Sequence, residues 1–421
     1  MAFSSLRPLR HRNYALIWSA ALVSNVGSWM QTVAVGALVT AKTHQSAWTG
    51  IVAAAAFLPI GLFSPVGGAM ADRVDRRRWF LGTTIGETVF AVLLAVAVAT
   101  GNDYPWLVSV IVFGGGVMAA LGFPAYQAII PELVPREDLL AAVSLGAAQY
   151  NLGRVVGPAL AGIALLAGSY SFVFELNAAS FAAVIVALLF TRLQARPHMG
   201  DESLRERIVT GIRGLRVEPG CRLATGLIGL TALLVSPFIA LIPAVAINIF
   251  HEGARGTSVL VTAQGVGAVA GALALTPLAN RFGRRRVLIA DLTVVLPGTV
   301  VLYAVAPNFA AVTVALVLVG AAYIGVLSGL MTVVQLRAPE ALRARILSLY
   351  FVALGSVYPV AAVIQGKLGD AVGLRHVTAV AAVLLAIACT ALLARRPERR
   401  DVLEEAPPGM PEAASVPTAL A

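Results

Sequence analysis

The chain has 421 residues, 58% hydrophobic and only 12% charged, with a formal net charge of +10. That polar surface is too small to clothe a soluble globule, and two cysteines, Cys221 and Cys389, exclude a disulfide framework or a cysteine-built metal centre. No cofactor or metal is expected, and the cysteines read as small apolar filler.

Residues 1–13 form a basic leading segment with Arg7, Arg10 and Arg12. Apolar runs follow at 14–40, 48–70, 79–100, 105–130, 139–167 and 171–191. Each reaches the roughly 20 residues that cross a bilayer, and helices are the economical way to satisfy backbone polar groups in hydrocarbon. No small-residue cleavage site follows the first run, so it reads as retained rather than as a signal peptide. Between the second and third runs lies a compact charged turn, Gly67-Gly68-Ala69-Met70-Ala71-Asp72-Arg73-Val74-Asp75-Arg76-Arg77-Arg78.

The stretch 192–221 is polar, yet Leu204, Ile208, Ile212 and Leu215 recur at helical spacing. Ser203 with Glu206 makes a capping box, and Pro219-Gly220 stops the pattern, so a short helix lying on the cytoplasmic face is expected. Six further runs occupy 222–250, 256–279, 287–305, 308–335, 345–367 and 373–394. Residues 395–421 lack periodicity and read as a disordered tail.

The basic residues decide the orientation. One side collects Arg7, Arg10 and Arg12, then Arg73 to Arg78, Arg136, the arginines of 192–222, Arg281 to Arg286, Arg337 to Arg345 and Arg395 to Arg400. The other side holds Lys42, Arg255, Lys367 and Arg375, and Arg154 alone lies within a span. This asymmetry puts both termini in the cytoplasm of a multi-pass cell-membrane protein and requires an even number of spans. It also accounts for the charge without nucleic acid.

The charged turn returns about two hundred residues later. There Asn280 stands for Asp72 and Arg281 for Arg73, followed by Arg284, Arg285 and Arg286. Independently, Pro135, Ser144 and Leu145 align with Pro339, Ser348 and Leu349. The reading is an all-α membrane protein of twelve transmembrane helices: two six-helix bundles, 14–191 and 222–394, in parallel orientation.

These residues resemble the major facilitator superfamily over about residues 10–395. Gly68-x-x-x-Asp72-Arg73-x-x-Arg76-Arg77 matches that superfamily's hinge motif, with Asp75 in place of its second glycine. Gly153-Arg154-Val155-Val156-Gly157-Pro158-Ala159-Leu160-Ala161-Gly162 is similar to its antiporter motif, with Ala161 for one glycine. Three features resemble the branch containing the enterobactin exporter and macrolide efflux proteins. These are Arg12-Asn13-Tyr14 leading to Trp18 and Ser24 to Gln31, the turn Pro131 to Pro135, and Asn151-Leu152-Gly153-Arg154. The resemblance implies a secondary transporter that exports a drug-like or siderophore-like molecule by alternating access. An importer of the same fold is the close alternative. Many drug/proton antiporters carry an arginine in span four, but 105–130 has no basic residue, so that coupling scheme does not carry over directly.

Several roles follow. Asp72 is expected to pair with Arg343 or Arg345 and hold the cytoplasmic side shut, breaking in the inward-open state. Arg73, Arg76, Arg77 and Arg78 either join that latch or fix topology. Gly153, Gly157, Pro158 and Gly162 are expected to pack span five against Gly265, Gly267 and Gly271 of span eight. Arg154 costs at least about 2.5 kcal/mol in a span unless paired or wetted, and Glu87, Glu175 and Asp291 are its candidate carboxylates. Exchange of such a pair would couple substrate to protons. Asn25, Gln31, Gln127, Gln149, Asn151 and Asn177 are candidate cavity lining or interhelical hydrogen bonds. Bilayer lipid, a small-molecule substrate and protons are the expected partners, and two self-contained halves make a monomer sufficient.

A membrane enzyme is disfavoured. His11, His44, His198 and His251 fall in tails or loops and His376 at the very start of the last run, and no G-x-S-x-G occurs. The absence of G-x-x-x-x-G-K-[ST] disfavours an ATP-driven pump. Fold does not give substrate.

Overall fold

The apolar runs fold as helices whose ends fall where charged or conformationally special residues interrupt them. In the computed structural model the described residues are 6–191, 204–339, 342–394 and Leu403. The tail read as disordered lies, Leu403 apart, outside the described residues, as do 192–203 and with them Ser203 of the capping box. The side chain of Glu206 lies outside them as well.

Among the described residues, twelve helices are long and apolar enough to span a bilayer. The first six are α1 (Arg12–Thr43), α2 (Ser46–Arg73), α3 (Arg76–Ala99), α4 (Pro105–Glu132), α5 (Arg136–Ala167) and α6 (Tyr170–Phe190). A short helix α7 (Leu204–Val217) follows. The second six are α8 (Pro219–Ile249), α9 (Gly253–Phe282), α10 (Arg284–Val305), α11 (Phe309–Arg337), α12 (Arg345–Val372) and α13 (Leu374–Ala394). Each expected run lies on its own helix, and the helices extend past most run ends because flanking charged residues continue the last turns into the interface.

Local chemistry explains the boundaries. Asp75 caps α3, accepting from the Arg78 N–H at 2.8 Å, which accounts for the acid where the hinge motif usually has glycine. Asn308 caps α11 through the Ala311 N–H at 2.9 Å. Gly283 (φ +86°) and Gly373 (φ +91°) close α9 and α12 in the left-handed region open to glycine. Pro243 in α8 is followed by a π-helical turn at Val245–Ile249, and Asp291–Val295 of α10 forms another.

The halves repeat one packing scheme. In the first, α1 packs on α5 and α6, α2 on α4, and α3 on α4 and α6. In the second, α8 packs on α12, α9 on α11, and α10 on α11 and α13. The order is the same in both halves, as a parallel repeat requires. Between halves α2 crosses α12 and α5 crosses α9.

The second half is built on one large apolar core that includes Leu227, Ile242, Leu292, Val319 and Leu385. The first half has separate clusters, one around Leu38, Leu94 and Phe174 and another around Tyr14, Ile129 and Leu188. Cys221 and Cys389 are free thiols within the second core. Helix α7 lies on the second half: added Cβ atoms at Gly211 and Gly214 would meet Leu349 and Ile346 of α12 at 3.0 and 3.1 Å.

Candidate functional site

About halfway along the helices, where α1, α2 and α5 of the first half face α9 and α12 of the second, aromatic and polar side chains converge on Arg154. Its Nη2 donates to Oε1 of Gln264 on α9 at 3.0 Å, across the two halves. Its guanidinium also lies 5.8 Å from the ring centroid of Trp29 on α1. Trp29 is 6.0 Å from Tyr150 of α5 and 6.4 Å from Phe57 of α2, and Phe57 is 5.8 Å from Tyr358 of α12. Gln264 is 1% exposed, and its Nε2 is buried without a hydrogen-bond partner.

The carboxylate expected beside Arg154 is therefore a neutral amide. Glu87 is half-buried on α3 and Glu175 exposed on α6. Asp291 is 8% exposed in the π-helical turn of α10, with Oδ2 against Gly325 and Oδ1 lacking a hydrogen-bond partner. None of the three forms an ion pair with Arg154. The physical reason is placement: α3, α6 and α10 pack within their own halves, whereas Arg154 looks across the seam.

The neutral polar candidates divide. Asn177 Nδ2 donates to Gln31 Oε1 at 2.8 Å, an interhelical bond between α6 and α1. Gln149 is buried and accepts from the Tyr126 hydroxyl at 3.5 Å. Asn151 is exposed and bonds back to the Ala147 carbonyl, and Gln127 is exposed on α4. Asn25 packs beside Gly153, where an added Cβ would lie 3.0 Å from Asn25 Cβ.

The antiporter-type segment packs on two helices. An added Cβ at Gly157 would lie 2.6 Å from Trp29 Cβ and 2.8 Å from the Val26 carbonyl oxygen, so Gly153 and Gly157 seat α1. Pro158 is buried, one turn before Gly162. A Cβ at Gly162 would lie 3.0 Å from Ser258 of α9, and one at Gly265 would lie 3.1 Å from Val155. The expected α5–α9 contact is thus present through Gly162 and Gly265. Gly267 and Gly271 instead face Val317 and Ala321 of α11, because they lie on the face of α9 turned into its own half.

On the arginine-rich face, Asp72 Oδ1 is 3.9 Å from Arg76 Nη2, one turn away. Arg76 Nη1 donates at 2.6 Å to Glu132, whose side chain is 7% exposed. Arg77 donates to the carbonyls of Leu188 (2.7 Å) and Leu189 (3.0 Å) at the end of α6. Arg73 is exposed. Gly67 rather than Gly68 makes the tight approach to α4: its Cβ would fall 2.7 Å from Leu121 Cα, whereas that of Gly68 is 3.9 Å from Pro124. Asn280 is exposed, Arg281 is exposed with its guanidinium 5.3 Å from the Phe282 ring, and Arg284 and Arg285 open α10. Arg343 is exposed and Arg345 half-buried at the start of α12.

The opposite face carries contacts with no counterpart in the sequence reading. Asp370 accepts from the backbone N–H groups of Ser46 and Ala47 across the halves. Asn248 Nδ2 donates to the His44 carbonyl at 3.2 Å. Lys42 pairs with Asp103 within the first half. Gln264 was illegible because a lone glutamine in an apolar span has no periodic signature, its only cue being a polar residue where few are, and Asp370 because it falls in the short gap between the runs 345–367 and 373–394, where an acid reads as ordinary loop.

A family model described as transmembrane secretion effector matches residues 3–415. The chain belongs to this family of the major facilitator superfamily. Among relatives, the macrolide efflux protein A of Streptococcus pyogenes is 28% identical over 295 residues, 67% of this chain and 70% of its own length. The enterobactin exporter of Citrobacter koseri is 27% identical over 391 residues, 86% of this chain and 84% of its own.

Solved structures show the same fold. A bacterial homolog of the human lysosomal transporter Spinster, in an inward-facing and unoccupied conformation, superposes with a TM-score of 0.73 at 14% identity, covering 94% of this chain and 99% of the other. The nucleoside transporter NupG superposes at 0.69 and 14%, covering 91% and 99%. The protein is thus a multi-pass transporter of a small molecule and not an enzyme.

Proposed function

We propose that this transporter exports an amphipathic small molecule across the cytoplasmic membrane by alternating access, as a proton-coupled monomer with both termini in the cytoplasm. One observation carries the reading. The antiporter-type segment lies on the seam, with Gly162 and Gly265 joining α5 to α9 and Arg154 bonded to Gln264. Small residues there let two rigid bodies approach closely and rock. The activities named for the macrolide and enterobactin relatives support export.

The moving bodies are residues 14–191 and 222–394, joined by 192–221, with the arginine-rich face inside. Among the described residues, the hydrogen bonds between halves named above lie at mid-depth and on the opposite face, which supports a state sealed outside. In the alternate state Asp72 engages Arg343 or Arg345, and Asn280 and Arg281 form the matching hinge. Glu87 and Asp291 are proposed as the proton carriers. The offset that lays Pro135 over Pro339 also lays Glu87 over Asp291, so each half holds one carboxylate in the same span.

The test is accumulation of a macrolide and of a siderophore in a strain lacking the protein and one expressing it, with and without a protonophore. Lower accumulation on expression, abolished by the protonophore, is expected. Accumulation that rises on expression would make it an importer, and export indifferent to the protonophore would remove proton coupling. Retained pH-gradient dependence in both Glu87→Gln and Asp291→Asn would remove those carboxylates from the role.

A further inference from the structure

Arg154 is a permanent cation at mid-depth whose described partners are one neutral amide oxygen and the face of one indole. A guanidinium offers five N–H donors in a planar fork, and a carboxylate or another anion satisfies it far better than an amide, through charge-assisted and often bidentate bonds. Among the described residues no carboxylate occupies that place. The remaining walls are flat and aromatic: Trp29, Phe57, Tyr358 and Tyr150, the last 46% exposed.

We propose that the site takes an amphipathic anion. An acidic oxygen of the ligand binds the guanidinium of Arg154, and a flat apolar portion lies against Tyr150 and the rings of Trp29, Phe57 and Tyr358. The inference rests on the transport reading above only for the site's being the substrate site. Arg154 belongs to the first half and Gln264 to the second. The ligand's charge therefore arrives where the halves touch, and an anion drawn to Arg154 competes with the neutral oxygen of Gln264 for the same fork. A cation of the same shape meets an unneutralised positive charge in a region of low dielectric, where repulsion is poorly screened.

The test is binding of 9-anthracenecarboxylate, followed by fluorescence anisotropy, to the full chain in lipid nanodiscs, with empty nanodiscs subtracted. The matched cation, 9-(aminomethyl)anthracene, is the comparison. The carboxylate is expected to bind saturably and at least about tenfold more tightly than the amine. Arg154→Gln should weaken carboxylate binding by about tenfold or more, and Arg154→Lys, which keeps the charge but loses the planar fork, should bind between the wild type and Arg154→Gln. The amine binding as well as the carboxylate, no saturable carboxylate binding by the wild type, or undiminished binding in Arg154→Gln would each overturn the proposal. The ligand comparison on the wild type needs no variant to fold. Efflux measured in parallel separates the two readings. Export of a cationic drug without carboxylate binding ends this inference and leaves export standing, and carboxylate binding without flux of any compound does the reverse.

Discussion

Asp370, in the last turn of α12, closes the first turn of α2 in the other half: its Oδ1 accepts from the Ser46 N–H at 2.6 Å and its Oδ2 from the Ala47 N–H at 2.9 Å. A helix start has unsatisfied N–H groups and a partial positive charge, so a carboxylate there is a natural clasp. The clasp spans the two bodies and must open whenever that face opens. Charge-assisted bonds of this kind contribute about 1.5–3 kcal/mol each. Asp370→Asn keeps the shape and loses the charge, so the state open on that face should gain population by about tenfold. Spin labels at Gln45 and Ala371 should then show a growing long-distance component; a distribution identical to wild type would show that the clasp does not hold the face.

Asp72 sits where α2 meets the arginine-rich face, 3.9 Å from Arg76 in this state. Its proposed partners are Arg345, the first residue of α12, and Arg343 just before it. Asp72→Asn should abolish transport while leaving the amount of protein in the membrane unchanged, as judged by blotting of fractionated cells. Normal flux would remove the latch role.

The hinge arginines should separate in a thermal-stability assay. Truncating Arg76 leaves the largely buried carboxylate of Glu132 without its 2.6 Å partner, a loss of about 3–5 kcal/mol by analogy with other buried pairs. Arg73 is exposed, and Arg73→Ala should cost less than about 0.5 kcal/mol. Melting in detergent should fall clearly for Arg76→Ala and hardly for Arg73→Ala. Equal melting curves would refute the division.

Gly157 is a packing position against α1, with Trp29 and Val26 within 3 Å of an added Cβ. Gly157→Leu overpacks this joint, with an expected destabilisation of about 1–3 kcal/mol, and displaces the indole that flanks Arg154. Efflux should be lost even when the protein remains folded by size-exclusion profile. Unchanged efflux would discard any conformational role for the motif.

What the sequence made legible tracks the length scale of each signal. Spans, their pairing into two repeats and the charged turns are written in runs of some twenty apolar residues and in clustered arginines, so each expected run from 14–40 to 373–394 sits on one helix. The α5–α9 contact was legible because Gly162 and Gly265 lie in glycine-rich stretches. The direction each small residue faces was not, which is why Gly267 and Gly271 turn to α11. The partner of Arg154 was illegible for a related reason. Searching for an opposite charge finds Glu87, Glu175 and Asp291, whereas tertiary placement supplied Gln264, a residue without a charge to announce it.

Helix α7 seats Gly211 and Gly214 on Leu349 and Ile346 of α12, and Leu215 packs against the second core. The connector's helix therefore belongs with the second bundle, and only the stretch 192–203 separates it in sequence from the first, a length of at most about 43 Å for any fully extended chain of that size. Cutting the chain between the bundles would leave each fragment with the six spanning helices of its own half, so the two halves, made separately in one cell, should find each other through their mutual contacts, chiefly the α2–α12 and α5–α9 crossings.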